Sequence, residues 1–251
     1  MVEPIKSDSK KIALLIDGDN AQPSLIGKIL TEASKYGSVT IRRIYGDWTT
    51  ANMNGWKETL NNHAVQPIQQ FRYTIGKNAT DSAMIIDSMD ILHSSLVDGF
   101  CLVSSDSDYT RLATRIREMG FFVMGVGQQK TPKAFINACN VFIYTENLMP
   151  KEQSRTRRAS PHQKEEVRED QGKKSDPIPL LKQAFDMAVR EDGWAKLAQI
   201  GLYLQQLDPG FDPRTYGQKQ LSSLIKAHAR VFEVSYQDKN GPTTVYVKLR
   251  E

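Results

Sequence analysis

The run Lys11-Ile12-Ala13-Leu14-Leu15-Ile16, followed at once by Asp17-Gly18-Asp19-Asn20, decides how the first part of the chain is read. Five consecutive apolar residues between a lysine and an acidic turn have the length of a strand and no alternation, so both faces of that strand are buried. The pattern recurs at Phe100-Cys101-Leu102-Val103-Ser104-Ser105, again followed directly by acids, Asp106-Ser107-Asp108. Residues 39–45, 65–71 and 121–126 read as further strands, and 25–36, 54–63, 80–96 and 108–119 as the helices between them. Strands alternating with helices of this length predict a mainly parallel sheet covered on both faces, an α/β domain occupying residues 1–150.

Beyond that domain the composition changes. Residues 151–175 hold 8 basic and 5 acidic side chains, no aromatic residue and one aliphatic, Val167. Such a stretch cannot bury enough surface to offset the entropy of ordering it, and reads as a flexible charged linker. From residue 176 apolar patterning resumes. Leu180, Leu181, Ala184, Phe185 and Ala188 fall at helical spacing behind Pro177 and Pro179. Residues 194–207 and 217–229 read as two more helices, and 231–236 and 244–249 as strands around a turn at Asn240-Gly241. Three helices and a hairpin are the plan of a small winged helix-turn-helix domain over residues 176–251.

The whole chain is 251 residues with 33 basic and 29 acidic side chains, a net charge of +4, and 39% hydrophobic residues, which excludes wholesale disorder. No apolar run approaches the ~20 residues that cross a bilayer, and no apolar stretch follows the N-terminal charges as in a secretory signal. With only two cysteines, Cys101 and Cys139, and no disulfide framework, the expected compartment is the cytoplasm. Residues 1–150 balance 15 basic against 15 acidic side chains, so bulk charge does not hold a polyanion there; any nucleic-acid contact is local.

The chemistry candidates sit where strands end. In an open parallel sheet, residues just past the carboxyl ends of neighbouring strands face one crevice, so Asp17 and Asp106 are expected to converge although 89 positions separate them. Asp81 opens the helix after Gly76-Lys77-Asn78-Ala79-Thr80, where the helix dipole favours an acid. Crowded carboxylates stay ionised only around a cation, and an all-oxygen donor set suits Mg²⁺ or Mn²⁺, which points to phosphodiester hydrolysis. Asp87 lies on another face of its helix and reads, like Asp90, as a solvated or salt-bridged group. There is no GxxxxGK[ST], HExxH or GxSxG, and the four histidines are scattered, so phosphate-loop, zinc and serine-nucleophile schemes are excluded.

At these residues the sequence resembles the NYN domain, a branch of the PIN-like nucleases. The likeness is carried by Ile16-Asp17-Gly18-Asp19-Asn20, Gly46-Asp47-Trp48, Pro67-Ile68-Gln69-Gln70-Phe71, the block from Gly76 to Asp81, and Leu102-Val103-Ser104-Ser105-Asp106-Ser107-Asp108. It implies a Rossmann-like three-layer α/β/α fold and a metal-dependent endoribonuclease. By resemblance, Asp17, Asp81 and Asp106 are the core acids that hold Mg²⁺ or Mn²⁺. Asn20 and Asp108 are auxiliary catalytic positions, and Ser105 is the hydroxyl beside the acid. Tyr109 stands where the family often has Phe, and Arg111 stands in place of Pro and adds positive charge. Lys77 and Arg111 are expected to contact the substrate, with Trp48 stacking on a base.

The tail resembles the OST-HTH/LOTUS domain through Gly193-Trp194, Phe211-Asp212-Pro213, Tyr216-Gly217 and Leu221-Ser222-Ser223-Leu224-Ile225-Lys226. This implies RNA binding, single-stranded or structured, or docking of a protein partner; Lys219, Lys226 and Arg230 are the expected phosphate contacts. Two other functions remain open: a catalytically silent RNA-binding or regulatory adaptor, and a phosphatase resembling the haloacid-dehalogenase type, with Asp17 as nucleophile and Asp19 as general acid. The oligomeric state is open, a homodimer included.

Overall fold

The computed structural model describes residues 9–71, 79–149, 176–237 and 244–250. The chain forms two compact units, Met1–Pro150 and Lys151–Glu251.

The first unit is built on six strands: β1 (Lys11–Asp17), β2 (Ser38–Gly46), β3 (Gln66–Gln69), β4 (Gly99–Val103), β5 (Phe122–Gly127) and β6 (Val141–Tyr144). They form one sheet in the order β3-β2-β1-β4-β5-β6, and every neighbouring pair is parallel. Among the described residues, five α-helices complete the unit: α1 (Ile26–Ala33), α2 (Lys57–His63), α3 (Ala79–His93), α4 (Thr110–Glu118) and α5 (Lys133–Ala138).

The strand pleat sorts side chains between two cores. Ile12, Leu14 and Ile16 of β1 pack with Ile26 and Ile29 of α1 and Leu60 of α2. Ala13 and Leu15, which point the other way, pack with Met84 and Leu92 of α3, Leu112 and Ile116 of α4 and Phe135 of α5. β4 divides likewise, Cys101 and Val103 to the first core and Phe100 and Leu102 to the second. The result is the three-layer α/β/α arrangement the sequence predicts. The sheet carries one more strand than expected, β6, preceded by α5, because a four-residue strand and a six-residue helix are too short to show a period.

Gly18 fits only because it has no side chain. Its N–H donates to the Tyr45 carbonyl at 2.9 Å, and an added Cβ would lie 2.7 Å from that same oxygen. The turn that follows Asp17 is thereby pressed against β2.

The second unit contains α6 (Ile178–Ala188), α7 (Leu197–Leu207) and α8 (Leu221–Ala227), with β7 (Ala195–Lys196), β8 (Phe232–Gln237) and β9 (Thr244–Leu249). The strands form an antiparallel sheet in the order β7-β9-β8. Its core joins Leu181 and Phe185 of α6, Ile200 and Leu204 of α7, Leu224 and Ile225 of α8, and Phe232 and Val247 of the sheet. These are the elements of a winged helix-turn-helix. The expected second helix loses its start to β7, which pairs with β9. The expected third is shortened to α8, behind a 3₁₀ turn at Pro213–Tyr216 capped by Asp212. The charged stretch 151–175 and the turn at Asn240-Gly241 lie outside the described residues. Among the described residues no helix is long and apolar enough to cross a membrane.

Candidate acidic active centre

The strand order reverses between β1 and β4, and in open parallel sheets the crevice at such a switch point, at the carboxyl ends of the strands, receives ligands. Asp17 ends β1 there, and residues 104–108 continue β4.

Asp17 is completely buried. Its Oδ1 accepts the Asp19 N–H at 3.1 Å; its Oδ2 accepts the Asn20 side-chain amide at 2.6 Å and the Ser104 hydroxyl at 2.8 Å. The Ser104 oxygen in turn accepts the Asp106 N–H at 3.1 Å. Asp106 Oδ1 accepts the Asp108 N–H at 3.0 Å and so caps the 3₁₀ turn Ser107–Tyr109 that leads into α4. The Tyr109 hydroxyl, at the end of that turn, donates to Asp81 Oδ1 at 2.7 Å. One chain of bonds thus runs from the end of β1, through the β4 loop, to the first turn of α3.

Its outcome is a compact cluster. Asp81, Asp106 and Asp108 each place a carboxylate oxygen within 4.8 Å of the others, Asp81 and Asp106 half-buried and Asp108 exposed. Burial raises the Asp81 carboxyl above the usual carboxylate range; the Tyr109 bond opposes this, and the charges of Asp106, Asp108 and Asp19 add to it. Burial also raises Asp17, against the bonds from Asn20 and Ser104, and the Asp81 charge raises it further. The Tyr109 hydroxyl is pushed far up by burial and by the surrounding carboxylates, so it keeps its proton and remains a donor. Three converging carboxylates without thiol or imidazole fit a hard divalent cation, which would relieve the mutual repulsion.

Of the residues expected at the centre, Asp81 and Asp106 meet, and Asp108 joins them as a full member. Asp17 lies behind them, with both oxygens engaged, inside the electrostatic reach of Asp81. Asn20 orients Asp17. The Ser105 oxygen accepts the Gln128 N–H at 2.8 Å, and the hydroxyl bonded to Asp17 is that of Ser104. The pleat explains the difference. Position 104 continues the face of Phe100 and Leu102, onto which Asp17 also projects, whereas position 105 falls on the opposite one.

Trp48 is anchored rather than free. Its indole N–H donates to the Ile68 carbonyl at 3.1 Å and its backbone N–H to Gln69 Oε1 at 2.9 Å; one side of it lines an open groove with Lys57, Leu60 and Pro67. Arg111 is exposed in the first turn of α4. Lys77 lies outside the described residues.

Arg42 and Arg43, on opposite faces of β2, are both committed to the fold: Arg42 to the His63 carbonyl at 2.9 Å, Arg43 to Asp87 at 2.5 Å, where Asp87 also accepts the Tyr45 hydroxyl. Asp87 is therefore a salt-bridged group. In the second unit, Lys219, Lys226 and Arg230 are all exposed, and the Lys226 ammonium sits 4.9 Å above the Tyr236 ring.

Family models match the chain in two places: the NYN domain over residues 11–147, and the OST-HTH/LOTUS domain over residues 170–244. Among solved structures, a protein of unknown function from Vibrio parahaemolyticus is 20% identical with a TM-score of 0.46, the match covering 55% of this chain and 94% of that one. An uncharacterized protein from Nitrosomonas europaea is 29% identical with a TM-score of 0.29, covering 37% of this chain and 89% of that one. No curated protein matches at a significant level.

Proposed function

Because the chain belongs to the NYN domain family, we propose that it is a Mg²⁺- or Mn²⁺-dependent endoribonuclease of the cytoplasm, with an OST-HTH/LOTUS unit that binds RNA. The observation that carries this reading is the convergence of Asp81, Asp106 and Asp108 within 4.8 Å at the switch point of the sheet.

In this reading Asp81, Asp106 and Asp108 hold the cation. When bound, such an ion acts as a Lewis acid toward phosphoryl oxygens and lowers the pKa of water. Tyr109 holds one oxygen of Asp81, leaving the other to turn toward the centre. Asp17, through Ser104, fixes the backbone from which Asp106 projects. Arg111, in the turn of α4 next to Asp108, supplies a positive charge for the phosphate, and Lys219, Lys226 and Arg230 carry RNA phosphates on the second unit. A phosphatase with Asp17 as nucleophile is disfavoured, because a fully buried carboxylate with both oxygens bonded offers none to a phosphorus.

The test is cleavage of single-stranded RNA by the full chain in Mn²⁺ or Mg²⁺, in EDTA, and with Asp106→Asn. Cleavage that depends on the metal and drops by more than about 100-fold in the variant supports the reading. Cleavage indifferent to chelator or to Asp106→Asn overturns it, and RNA binding without turnover in any metal makes the chain an adaptor.

A further inference from the structure

We infer that the flank formed by α4 and α5 is the track on which a single RNA strand lies as it leaves the acidic centre, held by its phosphates. The inference rests on the nuclease reading only for where the strand is cut.

A centre made of carboxylates repels the polyanion it acts on, so cations must stand beside it. Most of the described cations in the first unit are unavailable. Lys28 donates to the Leu148 carbonyl, Lys35 pairs with Glu32, and Arg42 and Arg43 are held as described above. Arg117 donates to the Asn137 carbonyl at 2.8 Å. Lys10 and Lys11 lie at the amino end of β1, the edge of the sheet away from the acids.

Arg111, Lys130 and Lys133 differ. All three are exposed, and the side chain of none of them makes a hydrogen bond or ion pair among the described residues. Arg115 meets Glu118 only at 3.7 Å, with more than half of each side chain open to water, a contact too loose to withhold it from a ligand.

All four groups belong to the layer that α4 and α5 form on the second core. Arg111 lies two positions beyond Tyr109, and Arg115 follows it one turn along α4. Lys130 and Lys133 belong to the connection from the carboxyl end of β5 into α5. The two helices lie side by side, tied by the Arg117–Asn137 bond and by Tyr109 against Phe135, with ring centroids 6.4 Å apart. The cations therefore begin where Asp108 ends. On the other flank, beyond β2 and β3, the described cation beside the Trp48 groove is Lys57. The first unit is neutral in total, and the described cations that have no fixed partner beside the acids are those of α4 and of the approach to α5.

The test reads binding apart from cleavage. The full chain and its R115Q/K130Q/K133Q variant are titrated in EDTA with a fluorescein-labelled oligouridylate of about 20 nucleotides over about 50–300 mM salt. Loss of three phosphate contacts makes the slope of log K against log salt shallower by about 2, with Kd on the order of a hundredfold weaker near 0.1 M salt. K130R/K133R keeps the parent slope, as does Lys57→Gln on the opposite flank. With Mn²⁺ present, KM rises in the triple variant and kcat holds. A slope change below about 0.5 in the triple variant, or an equal loss per charge from Lys57→Gln, overturns the track. Should the parent chain not cut RNA at all, the nuclease reading falls, and the slopes measured in EDTA still decide the track.

Discussion

Ser104→Ala removes one oxygen that serves two segments. The hydroxyl donates to Asp17 at 2.8 Å and accepts the Asp106 N–H at 3.1 Å, and both Asp17 and Ser104 are buried beyond the reach of solvent repair. A bond to a buried carboxylate contributes about 1.5–3 kcal/mol, and the backbone N–H deprived of its acceptor adds up to about 1 kcal/mol. The expected loss is therefore about 1.5–4 kcal/mol. A unit of this size unfolds with roughly 0.3 kcal/mol per kelvin of entropy, so its transition falls by about 5–13 °C. The assay is calorimetry of the full chain in EDTA near pH 8. Ser105→Ala is the internal control: it removes only a neutral acceptor for Gln128 and should cost about 1 kcal/mol, some 3 °C. At acid pH, with Asp17 protonated, the two variants should converge. If Ser104→Ala loses no more than Ser105→Ala at pH 8, the bond does not carry the load assigned to it.

Three further outcomes are expected. Asp81→Asn removes one of three mutually repelling charges, so in EDTA its melting point rises by a few degrees while the stabilisation that Mn²⁺ gives the parent chain disappears; differential scanning fluorimetry reads both. Because Asp17 and Asp81 are raised above their unfolded values, the folded chain binds more protons than the unfolded one just above the ordinary carboxylate range. Stability in EDTA should therefore fall as pH rises through that window, flatten in Asp81→Asn, and rise with pH once Mn²⁺ is saturating, because the ion binds the deprotonated form. Tyr109→Phe keeps the ring in the core but releases the Asp81 oxygen; Mn²⁺ affinity by isothermal titration should weaken about tenfold with little change in the far-ultraviolet spectrum, and unchanged affinity would deny the hydroxyl any part in holding that carboxylate.

Much of the architecture was legible in the sequence, for identifiable reasons. The unbroken apolar runs of β1 and β4 betray central strands, and acids placed directly after both locate the switch point before any coordinate is known. β6 and α5 escape because Phe135, Ile136, Val141 and Phe142 sit in elements too short to display a period. The convergence of Asp81 and Asp106 follows from strand order and helix position. The part played by Asp108 depends on a capping turn that brings it back toward Asp106, which spacing along the chain cannot show. The choice between Ser104 and Ser105 was decidable from the pleat alone, since parity counted from Leu102 puts Ser104 on the face of Asp17. Tyr109 was visible only as a replacement for Phe; that its hydroxyl reaches Asp81 requires the tertiary contact of α3 with the turn before α4.

The acids come from places far apart in the chain: Asp17 ends β1, Asp81 opens α3, and Asp106 and Asp108 lie in the turn that follows β4. β4 cannot settle between β1 and β5 until β5 exists, and β5 is finished only at Gly127. During synthesis, the chain through Gly127 must therefore leave the ribosome before β4 is enclosed on both sides. If the chain cuts RNA as proposed, its carboxylates come together only after that point of synthesis, and the shorter nascent chain holds them apart.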